Sequence, residues 1–299
     1  MPLNCNRFLI PRYLAAGIGL LLLALALAPG DGVAKDNARF ERAVNMAGVQ
    51  RTLAQQIGKE ALLVALGVDK ENNLKRLQES HAKFQRITAG LRAGDAELGL
   101  TATTEPELLR HINRVDQLWA SVDQLLAVGL KGEEIPQEQV IAVAEMTEPL
   151  YSVVDELVKA LRLEAQKGQI VFSINLLAID YATRQSMLSQ KLTKELLLVA
   201  YGHAVEKNRK ALARSSSHFD RVLKGLLDGD LQLRLREAPT PEIRIELQKA
   251  LKMWSGFLPS VEGVANGQEV NPELLNEVSD LNLSLLATID SATNLYESL

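Results

Sequence analysis

Val44–Gly67 reads VNMAGVQRTLAQQIGKEALLVALG, and 135 residues further on Ile179–Gly202 reads IDYATRQSMLSQKLTKELLLVAYG. Lys59-Glu60 falls on Lys194-Glu195, and the register then runs without a gap to Trp119 over Trp254. On the way it pairs Phe84 with Phe219, Arg86 with Arg221, Gly90 with Gly225, Gly94-Asp95 with Gly229-Asp230 and Pro106-Glu107 with Pro241-Glu242. A period of this length is too long for a solenoid repeat and marks a tandem domain duplication. The absence of gaps predicts loops of equal length, and so the same hairpin geometry in both halves.

Composition says which kind of domain was doubled. Of 299 residues, 47% are hydrophobic but only 4% aromatic, with Leu and Ala abundant and β-branched alternation scarce. That balance favours helices over a sandwich or barrel. Punctuation predicts four helices per unit. The first runs from about Asn37 to Gly67, with its counterpart ending near Gly202. The second ends at Gly94 or Gly229, where glycine suits a C-cap. The third opens at Thr104-Glu-Pro-Glu or Thr240-Pro-Glu, where a hydroxyl can cap and Pro sits in the first turn. The fourth begins near Pro136 or at Asn271-Pro272-Glu273. Short connections between such helices make antiparallel neighbours. The expected fold is all-α, two tandem antiparallel four-helix bundles spanning 35–167 and 168–299. Only Gly168 interrupts the stretch from Leu150 to Ala200, so the bundles are expected to be joined by a continuous helix into a rod-like pair.

Residues 1–34 read as an address. Arg7 and Arg12 precede the apolar run Leu14–Ala28, which Pro29-Gly30 breaks, and Gly32-Val33-Ala34 suits signal peptidase. The run is shorter than the roughly 20 residues of a spanning helix. The expectation is a periplasmic protein; the alternative is an inner-membrane anchor formed by the uncleaved N-terminal helix. Cys5 is the chain's single cysteine and lies in this leader, which excludes a disulfide framework.

Candidate chemistry lies on the first helix of each unit. At about 100° per residue, Val44, Ala47, Ala54, Ile57, Ala61 and Ala65 form one stripe, with Arg51 inside its edge, Gln50 on its other flank and Gln55 at the boundary. A guanidinium beside a core needs a partner. A small bound anion can supply it, as can an acid such as Asp95 or Glu107. In the second unit Gln185 and Gln190 occupy the amide places, Ser189 continues the stripe and Ser186 replaces Arg51. Arg184 is turned toward solvent by the same arithmetic.

Asn45-Met-Ala-Gly-Val-Gln-Arg51 followed by Leu53-Ala-Gln, and Arg184-Gln-Ser-Met-Leu-Ser-Gln190, resemble the N-terminal sensory domain of type IV pilus methyl-accepting chemotaxis transducers, the PilJ family. The segment is also similar to the A-G-x-x-R segment of the periplasmic sensor of nitrate/nitrite histidine kinases, whose Arg binds the anion at a helical dimer interface. The resemblance implies a sensory domain and, by matching positions, a ligand site at Ala47, Gly48, Gln50, Arg51 and Gln55. The second unit departs from the pattern at Thr183 and Ser186, which leaves Gln185, Ser186, Ser189 and Gln190 as the weaker set. A small, nitrate-like anion, a membrane receptor or pilus-related protein, and a second copy in a homodimer are the partners so implied.

The remaining signals are bland. The charge of −4 gives no case for nucleic-acid binding. No nucleophile elbow, Walker loop or zinc-protease motif occurs, and no catalytic, metal or cofactor site is expected. Glu107 and His111, four apart, read as a surface contact. Trp119 and Trp254 read as packing residues. The chain reads as a ligand-sensing or anion-binding module lacking its own output domain; the competing class is a non-catalytic interaction scaffold for a pilus, envelope or receptor component.

Overall fold

A computed structural model describes residues 31–167 and 176–299. Eight helices follow in order: α1 Asp31–Ala65, α2 Lys70–Ala93, α3 Pro106–Leu126, α4 Gln137–Lys167, α5 Leu176–Ala200, α6 Val205–Asp228, α7 Pro241–Ala265 and α8 Pro272–Glu297. Helices α1–α4 close around one apolar core and α5–α8 around a second. The leader falls almost wholly outside the described residues, as does the junction at 168–175 where a continuous helix was expected.

The gapless register is expressed as repeated turn geometry. Gly67 and Gly202 follow the first helices with φ of 74° and 76°, and Asp69 and Ala204 take φ of 37° and 43°. In each turn an asparagine side chain of the following helix closes back, Asn73 onto the Val68 carbonyl at 2.7 Å and Asn208 onto that of His203 at 2.8 Å. Gly94 and Gly229 end α2 and α6 with φ of 87° and 89°. Beyond each, an arginine clasps the loop: Arg86 pairs with Asp95 and Arg221 with Asp230. The second loop carries a small hairpin, β1 Gly229–Asp230 and β2 Leu235–Glu237. The tryptophans are packing residues, Trp119 stacked on Phe84 at 4.2 Å and Trp254 tilted against Phe219 at 4.6 Å.

One cap departs from expectation. Thr240 caps α7 by accepting the Ile243 amide, but α3 has Glu105, not Thr104, at its N-cap, and no side-chain hydrogen bond is made there. Thr240 directly precedes its proline, whereas Glu105 separates Thr104 from Pro106.

The two units do not stack end to end. They lie side by side along α1 and α5, which pack against each other as well as against the helices of their own bundles. The helices meet at Gly48, where an added Cβ would stand 3.4 Å from Thr183 Cγ2. Gly48 and Thr183 are themselves 135 residues apart, so equivalent positions meet and the helices run parallel about a local pseudo-two-fold axis. Polar contacts cross that axis in matched pairs. Lys59 of α1 donates to Asn282 Oδ1 of α8 at 2.9 Å, and Lys194 of α5 donates to Thr147 Oγ1 of α4 at 2.5 Å. Both the lysines and their acceptors are related by the same 135 residues. The chain is thus an internal dimer whose units exchange lysines.

Two glycines on α1 separate close packing from helix propensity. A Cβ at Gly58 would lie 2.7 Å from Thr147 Cγ2 and 3.4 Å from the Ala144 Cα. Gly58→Ala is therefore expected to force α4 outward and cost about 1–3 kcal/mol. Gly48→Ala meets only ordinary contact and is expected to gain up to about 1 kcal/mol from helix propensity. Urea unfolding of the two variants checks the opposite signs.

Candidate functional site

Arg51 lies in the seam with 1% of its surface exposed. Its guanidinium faces Asp155 of α4 at 2.6 Å and Asp180 of α5 at 2.9 Å. One side chain of the first unit therefore bridges its own last helix and the first helix of the second. The expected acids, Asp95 and Glu107, are elsewhere, paired with Arg86 and Arg110. Arg184 is also misplaced by helical arithmetic. It is turned away from its own bundle core, but α1 and α4 cover that side. There it reaches Asp180 at 3.0 Å, Asp155 at 3.3 Å and the Tyr151 hydroxyl at 3.4 Å. A stripe computed for an isolated bundle takes no account of a second bundle on its outer face.

Arg162 completes the cluster at 3.0 Å from Asp180, and Lys159 adds a rim contact of 2.7 Å to Asp155. Four cations thus surround two carboxylates. Burial alone would raise the Asp180 carboxyl, but Arg162, Arg184 and Arg51 overcome it and hold the group at about 2. On the lysine pair burial prevails, lowering Lys59 and Lys194 to about 8.

The other site candidates are engaged in contacts within the fold. Ala47 is fully buried. Gln50 donates to the Phe84 carbonyl at 3.2 Å and to Thr88 at 2.7 Å, and Gln185 does the same to the Phe219 carbonyl at 2.7 Å, so each pins a first helix to the second. Gln55 reaches Glu148 at 3.2 Å, and Gln190 bonds to Ser189 at 3.0 Å. Ser189 in turn donates to the Ser186 carbonyl at 2.8 Å. Ser186 itself donates to Asp290 of α8 at 2.6 Å. Arg51 and the second-unit set are thus not gathered into one pocket: Arg51 and Ser186 lie at two grooves on opposite sides of the α1–α5 pair, and Gln185, Ser189 and Gln190 are buried inside the second unit.

A family model described as type IV pili methyl-accepting chemotaxis transducer N-term, PilJ, matches residues 35–144 and 177–281. The chain belongs to the PilJ family. The two matched segments fall one in each unit. Among its relatives, the methyl-accepting chemotaxis protein McpN of Pseudomonas aeruginosa is 34% identical over 83 residues, 28% of this chain and 15% of that protein. The putative methyl-accepting chemotaxis AlkN of Alcanivorax borkumensis is 24% identical over 270 residues, 87% of this chain and 36% of that protein. The chain spans about a third or less of the length of these relatives. Membership makes it a sensory-type helical domain. Among the described residues no helix is long and apolar enough to cross a membrane. Nor do three His, Cys, Asp or Glu side chains there converge for a metal; Glu107 and His111 make the expected i,i+4 contact at 3.7 Å.

Sequence reading missed Asp155, Asp180, Arg162 and the true direction of Arg184. A signal was present for the first: carrying the register past Trp254 lays Asp155 on Asp290.

The PilJ seam has two titrating limbs, one acidic and one basic, and stability rises with pH along both. Asp180 is depressed in the fold from an ordinary 3.8 to about 2, so its contribution is whole above pH 4 and is lost as pH falls from 4 to 2. That contribution is about 2 kcal/mol. Wild type should lose this advantage over Asp180→Asn across that window. Lys59 is depressed from 10.5 to about 8, so the unfolded chain holds more protons between those values and stability rises with pH there. Wild type should gain on Lys59→Met from pH 8 to 10.5. Chemical unfolding of the three proteins as a function of pH checks both limbs.

Proposed function

We propose that this PilJ chain is a ligand-sensing module of the periplasm, in which a small anion, nitrate-like by family resemblance, is taken up at the Arg51 cluster. The supporting observation is the charge count at the seam: Arg51, Arg162, Arg184 and Lys159 face only Asp155 and Asp180. Both terminal nitrogens of Arg51 already face a carboxylate, so an anion enters by taking the place of one of them. The planar fork of an arginine suits a planar oxyanion as well as a carboxylate.

That substitution is what makes the site a sensor. Asp155 belongs to the first unit and Asp180 to the second. Releasing Asp180 from Arg51 loosens one unit's hold on the other, while releasing Asp155 frees α4 within the first unit. A ligand shifts an equilibrium only by its differential affinity for the two states, and an anion competing with an internal carboxylate binds one arrangement alone. The altered packing is then read by a membrane receptor or a pilus-related protein. The leader-like start at Arg7–Ala34 supports export, and the likeness to methyl-accepting chemotaxis proteins supports a chemotactic context.

Thermal shift with nitrate, nitrite and small carboxylates tests the reading. Wild type should be stabilised by at least one anion and Arg51→Ala by none. Asp180→Asn, which removes the internal competitor, should bind that anion roughly tenfold more tightly. Equal responses of all three proteins to every anion would overturn it.

A further inference from the structure

The pseudo-two-fold axis gives the Arg51 cluster a counterpart on the opposite side of the α1–α5 pair, and the two have diverged chemically. Asp155 keeps its carboxylate as Asp290. Its cations do not persist: at the equivalent positions Arg51 is Ser186, Lys159 is Asn294, Arg162 is Glu297 and Arg184 is Val49. In the first groove Asp155 is contacted by Arg51, Lys159 and Arg184. In the second, Asp290 receives the Ser186 hydroxyl at 2.6 Å, and no Lys, Arg or His comes within ion-pair distance among the described residues. Where the long cationic side chains would have stood, the structure has a cavity of about 310 Å³ bounded by α1, α5 and α8, with Lys83 of α2 at its rim.

We infer that this cavity is a second binding site, for a small organic cation, a guanidinium or primary ammonium group seated on Asp290. The first groove shows what the second lacks. There the carboxylate is satisfied by a guanidinium that the chain supplies from Arg51; here the chain supplies a serine and leaves room. The walls fit such a guest. Ser186, Thr52 and Thr293 form a buried hydroxyl floor, Asn45 replaces Asp180 with a neutral amide, and Val49 and Leu53 accept a methylene stem. A second carboxylate, Glu297, lies at the edge. Of the two cations that touch the cavity, Arg42 is held by the Leu98 carbonyl at 2.6 Å. Lys83 is exposed at the rim. The volume lies at the small end of ligand sites, which limits the guest to amino-acid size. Two sources share this chemistry: a bare amine or guanidine, and an amino acid whose own carboxylate turns out toward Lys83.

Calorimetric titration of the whole chain with agmatine and with L-arginine tests the site, with L-glutamate and nitrate as controls. At least one of the two guanidines should bind at millimolar concentration or better, and Asp290→Asn should weaken it roughly tenfold or more. Agmatine alone points to a bare cation; arginine in preference points to an amino acid. Ser186→Arg restores the first groove's arrangement and should abolish binding while raising Tm. Asn294→Lys, at an exposed position of α8, should weaken binding without touching the core, and serves if Ser186→Arg misfolds. Excess nitrate should leave the guanidine's affinity unchanged, which separates the result from the anion proposal. Binding of neither guanidine, or binding indifferent to both Asp290→Asn and Asn294→Lys, would overturn the inference.

Discussion

A guanidinium with almost no exposed surface must be neutralised where it stands, because moving an unpaired charge out of water costs several kcal/mol. Arg51 meets that constraint with one carboxylate from its own unit and one from the other, and the arrangement of the molecule follows from it. Asp180 can reach Arg51 only if α5 runs beside α1 in parallel, and Asp155 only if α4 closes over the same spot. Arg162 and Arg184 are then drawn in to share the two acids. Apolar contacts are non-directional and do not by themselves select one register between α1 and α5. A charge network has one register in which every member is paired, and the exchanged lysines repeat the same restriction further along the pair.

Putting both halves of a pseudo-dimer on one chain has a consequence that two separate copies lack. In a homodimer every substitution appears twice, so both grooves must carry the same chemistry. Here they need not. What has stayed common to the two units is what holds them: the Lys-Glu dipeptides, the Gln50 and Gln185 bonds to the second helices, the asparagine-closed turns and the arginine-clasped loops. What has separated is the ring of side chains around one preserved acid. Asp155 sits among cations, while Asp290 sits at the mouth of a cavity. Scaffold and chemistry have parted along the helix pair itself.

The fold was legible for a physical reason: helix ends, turns and cores depend on neighbours close in sequence, and the duplication displayed each signal twice. The cap at Thr240 and the glycine turns follow directly from local residues. Thr104 failed as a cap because it stands one place too early: Glu105 occupies the position equivalent to Thr240, a detail as local as the ones that succeeded. The candidate site was legible only as far as Arg51 being buried. Its partners lie more than a hundred residues away in the chain, and no local pattern selects Asp155 or Asp180 from among 37 acidic residues. Arg184 shows the same limit in sharper form. Its angle on the helix is as computed, but whether that angle means solvent depends on whether a second bundle lies there.

A charged seam also suits a module that must report a binding event, in a way that a greasy one would not. Packed apolar surfaces resist small changes with a stiffness close to that of an organic crystal, so a ligand of a few atoms has little purchase on them. An ion pair is different. It is strong only while both members are in place, and it is broken by any guest that satisfies one member better than the other does. At the Arg51 cluster the surplus of positive charge means that losing one carboxylate to a guest need not leave a bare cation, since another group of the opposite sign has arrived. The free-energy gap between the paired and exchanged arrangements is then a difference between two similar contacts. Differences of that kind can be small enough for a weakly bound ion to tip, and in the exchange proposed for Arg51 the tipped element is a whole unit.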